Sequence, residues 1–266
     1  MTKRVVSAII LVLFIAPFVI IGGKAFAALM GILSMLGVYE IIHIRESKKS
    51  FPIVVKLFAY LFVVFFALNN FSSIEFSYNL DYRVIAILIF TFLSPMVFIN
   101  DTKRYNLNDA LFLIGSVLFI GLSFNLIIIT RNFNISYIIY LLLITTMTDT
   151  FALFTGMLVG KRKLAPLISP KKTIEGAIGG AFMGTFIATA FYTTVINVNF
   201  SLVVVILITL ALSCVGQLGD LVFSSIKRYY GKKDFSDLIP GHGGILDRFD
   251  SLAFVALAFI LVLGII

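Results

Sequence analysis

"MTKRVVSAIILVLFIAPFVIIGG" (Met1–Gly23) decides the class of fold. A basic start leads into an apolar run of roughly 17–18 residues, long enough to cross a bilayer as a helix. The opening is that of a secretory signal, but no clear small-x-small cleavage site follows, so it reads as a retained first helix. Only "GGK" (Gly22–Lys24) separates it from the next apolar run, which predicts a tight helical hairpin.

The rest of the chain has the same character. Its 266 residues are 60% hydrophobic and 13% charged, with 28 phenylalanines and no tryptophan, and the mean hydropathy is +1.08. A soluble domain of this length cannot hide so much apolar surface, so its solvent is lipid. Apolar runs near 5–22, 24–44, 52–69, 82–100, 109–130, 135–159, 174–198, 200–226 and 248–266 predict an all-α polytopic membrane protein of about nine transmembrane helices. The polar breaks are short and no internal repeat is visible, so residues 1–130 and the more informative 131–266 read as one continuous bundle. Cys214 is the only cysteine and lies in an apolar run, where it reads as a small buried hydrophobe; no intramolecular disulfide or cysteine zinc site is available.

Charge gives the orientation. Lys3, Arg4, Arg45, Lys48, Lys49, Lys103, Arg104, the lysine-rich 161–172 segment, Lys227, Arg228, Lys232, Lys233 and Arg248 fall on one side of the alternating loops. Lys24, Arg83 and Arg131 fall on the other, and Lys56 can snorkel back. The positive-inside rule then puts the N-terminus in the cytoplasm and the C-terminus outside. The net charge of +8 is mainly this topology signal, and no nucleic-acid partner is expected. Attraction to anionic membrane lipids is a second use of the same residues.

The polar residues gather at one predicted membrane face. "GKRKLAPLISPKKTIEG" (Gly160–Gly176) carries five Lys/Arg residues, a charge that suits a polyphosphate as well as a plain cytoplasmic loop, and Thr173 or Ser169 is placed to cap the next helix. Asp149 and Asp220 lie inside apolar runs, where a charged carboxylate must face protein, water, a cation or a proton. Gln217, Asp220 and Ser224 recur at helical spacing, and Gly216 and Gly219 permit close approach of a helix or ligand. "GHGGILDRFD" (Gly241–Asp250) opens the last run with Asp247 and Asp250 on one helical face. Helix-dipole stabilisation alone accounts for two acids there. Convergence with Asp220 would instead call for a hard divalent cation bridging to phosphate oxygens. His242 has no second histidine nearby and reads as a hydrogen-bond donor or loop anchor. Gly241, Gly243 and Gly244 would let backbone N–H groups approach a phosphate chain.

"SSIKRYYGKKDFSDLIPGHGGILDRFD" (Ser224–Asp250) resembles the signature of phosphatidate cytidylyltransferases, also called CDP-diacylglycerol synthases. Ser224, Lys227, Arg228, Lys233, Asp234, Ser236, Pro240, His242, Gly243, Gly244, Asp247, Arg248 and Asp250 fill its specified positions. "ISPKKTIEG", through Ser169, Pro170, Lys171, Lys172, Thr173, Glu175 and Gly176, looks like the family's second motif, and "GQLGDL" matches the stretch before the signature. The resemblance runs from about Asp149 onward; residues 1–130 match only as generic apolar spans.

The resemblance implies transfer of the cytidylyl group of CTP to phosphatidate, giving CDP-diacylglycerol and pyrophosphate in phospholipid biosynthesis. It implies Mg²⁺, with room for a second, monovalent cation. Asp220 and Asp247 are the expected leading metal ligands, with Asp250 as a third or as a supporting acid, and Lys227 and Arg228 join Asp220 and Asp247 as expected catalytic residues. Lys171, Lys172, Lys227, Arg228 and Arg248 are expected on phosphates. Ser169, Thr173, Glu175, Gln217, Ser224, Lys233, His242, Gly243 and Gly244 complete the expected substrate contacts. The deep aspartates imply a polar cavity open to the cytoplasm, with lateral access for acyl chains, in a bacterial cytoplasmic membrane. A CTP-dependent lipid kinase and an ion-coupled transporter are the competing readings; the long signature argues against the first, and the missing repeat against the second. The small residues of "GAIGGAFMGTF" (Gly176–Phe186) pack helices within one bundle by default and leave room for a homodimer.

Overall fold

The structure, a computed structural model, describes residues 2–69, 71, 81–99, 101–196, 200–239, 241 and 243–263. Ten α-helices account for most of them: α1 (Thr2–Ile21), α2 (Gly23–Glu46), α3 (Ile53–Leu68), α4 (Tyr82–Leu93), α5 (Pro95–Ile99), α6 (Leu107–Phe133), α7 (Ile135–Val159), α8 (Ile174–Phe191), α9 (Leu202–Tyr229) and α10 (Leu246–Leu263). Among the described residues, six helical segments are long and apolar enough to cross a membrane, and Ile10–Ile21 and Ile53–Leu68 are shorter apolar helices. The chain is a polytopic, predominantly α-helical membrane protein.

Three local readings change. The run at 82–100 is two helices, α4 and α5, broken at Ser94; Pro95 supplies no N–H to continue the ladder. The basic 160–176 segment is a small antiparallel hairpin of β1 (Lys163–Ala165) and β2 (Ser169–Thr173), paired as Lys163 with Thr173 and Ala165 with Ser169. Cys214 is exposed on α9 rather than buried. In a lipid solvent an apolar side chain gains little by turning inward, so apolarity does not predict burial here.

The chain divides into two compact units, Met1–Asn132 with Tyr230–Asp247, and Phe133–Tyr229 with Arg248–Ile266. In the first, Gly22 and Gly23 take φ of 66° and 54° and turn α1 into α2, as the "GGK" break predicts. Arg131 of α6 donates from Nε to Val19 O at 2.7 Å and from Nη2 to Ile20 O at 2.6 Å. These are carbonyls at the end of α1 that no intrahelical N–H reaches. Asn125 likewise donates to Ala67 O (2.9 Å) and Asn69 O (2.5 Å) at the end of α3. Asp109, fully buried, pairs with Arg45 at 2.7 Å and with Lys49, so part of the basic excess that reads as a topology signal is used inside the fold.

In the second unit, α8 packs on α7 and α9. Gly176, Gly180 and Gly184 recur every four residues along α8 and face α7; a Cβ on Gly180 would stand 2.5 Å from Thr148 O, and one on Gly176 2.6 Å from Ala152 O. The small residues that left room for a homodimer are thus occupied inside the chain, while Ile178, Phe182 and Phe186 are exposed on α8. Gly180→Val is expected to cost about 1–3 kcal/mol by overpacking. The check is a lowered thermal midpoint in detergent, while Ile178→Val on the exposed face leaves it unchanged.

Candidate active site

The second unit holds a cavity of about 560 Å³ whose lining includes Asp149 and Met157 of α7, Lys163, Lys171 and Lys172 of the hairpin, and Gln217 and Asp220 of α9. Each element is fixed by a local rule. Thr173 Oγ1 accepts the Gly176 N–H at 3.1 Å and caps α8, which sets where the hairpin ends. Glu175 Oε2 accepts the N–H groups of Lys161 (3.0 Å) and Arg162 (3.1 Å), and its Oε1 accepts from Arg162 Nε at 3.1 Å, closing the hairpin at its base. Arg228 Nε donates to Ile168 O at 3.1 Å and ties the hairpin tip to α9. Gln217 Nε2 donates to Ala177 O at 3.1 Å and joins α9 to α8.

With its frame held this way, β2 delivers Lys172 onto Asp220, and the two form an ion pair. Ser224 Oγ donates to the other Asp220 oxygen at 3.3 Å, one helical turn along α9. Asp149 lies within electrostatic range of both Asp220 and Lys172. Asp250 feels Asp220, Lys227 and Asp149, and it is brought close because Gly219 lets α10 approach; a Cβ there would stand 2.9 Å from Asp250 O and 2.8 Å from Phe254 Cβ. Three carboxylates and Lys227 on apolar helices therefore share one electrostatic neighbourhood with Lys172 of the hairpin. Lys227 is buried, Ser169 half-buried, and Arg248 exposed.

The remaining signature residues belong to the first unit. Asp247 Oδ2 accepts the N–H groups of Phe235 and Gly244, each at 2.9 Å. The Gly244 N–H, read from sequence as available to a phosphate, is thus directed to Asp247. Gly243 has φ of 80° and its carbonyl accepts the Ile239 N–H at 2.9 Å. Lys233 lines a second cavity, of about 650 Å³, with Tyr39, His43, Glu46 and Ser236 among its walls. Pro240 and His242 lie outside the described residues. The sequence reading passed over Lys163 as a cavity wall and Glu40 of α2, which accepts from Ser236, Ile245 and Leu246. Glu40 was detectable by the rule that singled out Asp149 and Asp220, as an acid inside an apolar run.

Among the described residues, no group of three or more acid, histidine or cysteine side chains is drawn together as a ready metal cage. Mg²⁺ does not require one, since it keeps several waters and is held by one or two carboxylates together with substrate phosphates. Asp220, Asp250 and Asp149 are the carboxylates within electrostatic range of one another in this unit, and Lys171 and Lys172 line the same cavity as Asp149 and Asp220.

The cytidylyltransferase family pattern matches residues 2–266. The chain belongs to the cytidylyltransferase family. It is 36% identical over 256 residues to a phosphatidate cytidylyltransferase of Staphylococcus haemolyticus, covering 96% of each chain. Enzymes of the same name from Staphylococcus aureus and Staphylococcus saprophyticus are 36% and 32% identical, again over 96% of each chain. The match spans the N-terminal helices as well as the C-terminal motifs, so the family extends over the whole bundle.

Glu175→Gln removes the carboxylate that holds Lys161 and Arg162. Tryptic cleavage within 161–163 is expected to quicken severalfold in the folded protein, with the helical circular dichroism unchanged. An unaltered cleavage rate would mean that strand pairing alone closes the hairpin.

Proposed function

We propose that this chain transfers the cytidylyl group of CTP to phosphatidate, releasing CDP-diacylglycerol and pyrophosphate. The observation that carries the reading is the Lys172–Asp220 pair on the wall of the second unit's cavity, flanked by Lys171, Lys163 and Asp149. Cations suited to phosphates, on the hairpin, stand beside carboxylates suited to a cation, on apolar helices. The relatives' names supply the lipid and the nucleotide. Leu153 and Met157 line the same cavity and are exposed on α7, which supports entry of a lipid from the bilayer side.

A phosphatidate phosphate oxygen attacks the α-phosphorus of CTP, a new P–O bond forms, and the bond to the β-phosphate oxygen breaks with pyrophosphate leaving. The lipid is its own nucleophile, so positioning and charge neutralisation dominate the protein's task. Mg²⁺, when bound, neutralises phosphate charge and stabilises the leaving pyrophosphate. Asp220 and Asp250 are the proposed holders within the second unit, and Asp247 is carried as a third candidate from the signature. Lys171, Lys172, Lys227, Arg228 and Arg248 are proposed phosphate contacts; if Asp220 held the cation, Lys172 would be available to a substrate phosphate. Thr173, Glu175 and Gln217 act through the frame they hold. Ser169, Ser224, Lys233 and Gly243 remain substrate-contact candidates, whereas the Gly244 N–H is taken by Asp247.

Nine membrane crossings in a bacterial cytoplasmic membrane, with the N-terminus and the site facing the cytoplasm and the C-terminus outside, agree with the lysine and arginine bias and with the location of CTP. A periplasm-dependent reporter fused to the C-terminus is expected to be active, and one inserted at 161–171 inactive; the reverse pattern would overturn this sidedness.

The purified protein given CTP and phosphatidate is expected to release pyrophosphate, whereas release of CDP would identify a kinase. Asp220→Asn and Asp250→Asn are each expected to lower turnover per folded molecule on the order of 10²-fold and to shift the Mg²⁺ requirement upward. The double variant is expected to be little worse than either single, because the two serve one ion. Near-normal turnover in both singles at unchanged Mg²⁺ dependence would remove these acids from the metal site.

A further inference from the structure

Glu40 sits inside the apolar helix α2 and is 0% exposed. Its Oε1 accepts Ser236 Oγ at 2.6 Å and the Ile245 N–H at 2.7 Å, and its Oε2 accepts the Leu246 N–H at 2.8 Å. Those two amides open α10, where no intrahelical carbonyl can satisfy them. Asp247 takes the neighbouring Gly244 N–H and the Phe235 N–H. Four backbone donors around the signature loop are therefore divided between one acid of the signature and one acid 205 or more residues away from Ile245 and Leu246 in sequence.

Gly244 is part of the same arrangement. A Cβ at that position would stand 2.6 Å from Glu40 Oε2 and 2.6 Å from its Cδ, so the second glycine of the "HGG" turn makes room for the Glu40 carboxylate. Leu246 adds an apolar counterpart, since a Cβ on Gly37, one turn earlier on α2, would stand 3.1 Å from Leu246 Cδ2. A helix start normally takes its cap from the residue just before it. A carboxylate sent from a distant apolar helix is costly to bury. What it adds over a local cap is position: within the first unit it fixes Ile245 and Leu246, at the start of α10, against α2.

We propose that Glu40 is a positioning residue for the cytidylyl transfer: by holding Ser236, Ile245 and Leu246 it sets the direction in which Asp247 points. The inference rests on the function proposed above. It assigns a task to α2, a helix that carries none of the signature residues.

The test uses the full-length protein in detergent. In Glu40→Gln, which keeps the side-chain volume and replaces one acceptor by a donor, amide hydrogen exchange across 244–247 is expected to quicken about tenfold or more. Turnover per folded molecule is expected to fall about 10- to 100-fold, the range for residues that orient ligands. The Mg²⁺ concentration for half-maximal rate should rise, while KM for phosphatidate stays as in the wild type. A merely structural acid would lower the thermal midpoint and leave the rate per folded molecule and its Mg²⁺ dependence unchanged, and that result overturns the proposal. Unchanged exchange at 244–247 overturns it as well. Ser236→Ala, which removes one partner and adds no bulk, is expected to move the same quantities in the same direction by less, and it decides the matter if Glu40→Gln does not fold. A wild-type protein that releases no pyrophosphate from CTP and phosphatidate would sink the function proposed above, and the exchange measurement would still decide whether Glu40 holds the loop.

Discussion

A carboxylate inside an apolar helix has to be answered, and the answers organise this protein. Lipid gives no solvation to a charged oxygen, so each buried acid calls up a cation or a set of N–H groups from another part of the chain. Asp109 draws Arg45 and Lys49 to the start of α6. Glu40 draws the start of α10, and Asp220 draws Lys172 from the hairpin. Packing between apolar helices in lipid is non-specific by comparison, because the alternative partner is a lipid tail of the same polarity. Polar demands therefore fix which elements meet, and small residues such as Gly180 and Gly219 fix how closely.

This division of labour also explains what could be read before the structure was known. Apolar runs report solvent, and each of them forms helix over most of its described length; "GGK" and Thr173 are local signals with local consequences. The signature from Ser224 to Asp250 carries its meaning in spacing, which survives without coordinates. Pairings across long separations leave no comparable trace. The partners of Glu40 lie about two hundred residues downstream, and nothing in "GVYEIIHIRE" (Gly37–Glu46) names them. The hairpin escaped notice because Pro166 and Pro170 look like punctuation, whereas Pro170 sits within a short two-stranded pair that has no further strand to serve. Burial was the weakest inference: Cys214 is apolar enough for a core, yet outside and inside are equally apolar for α9.

The cavity of the second unit combines two solvents' worth of chemistry. Its polar wall of lysines and aspartates suits a nucleotide and a phosphate, while Leu153 and Met157 belong both to its lining and to the exposed face of α7. Under the proposed function, a headgroup would be solvated by the protein while its chains stayed among lipids, and one water-soluble and one lipid-soluble partner would react without either leaving its own phase.

The grip of Arg131 on the end of α1 has a consequence for how the chain is made. The two carbonyls it serves belong to residues 112 and 111 positions earlier. At ordinary rates of synthesis that separation is on the order of 10 s. Until α6 is made, Gly22 and Gly23 can turn α1 into α2, but the guanidinium that takes the last carbonyls of α1 does not yet exist. The order of synthesis thus puts a wait between the acceptors of these two hydrogen bonds and their shared donor.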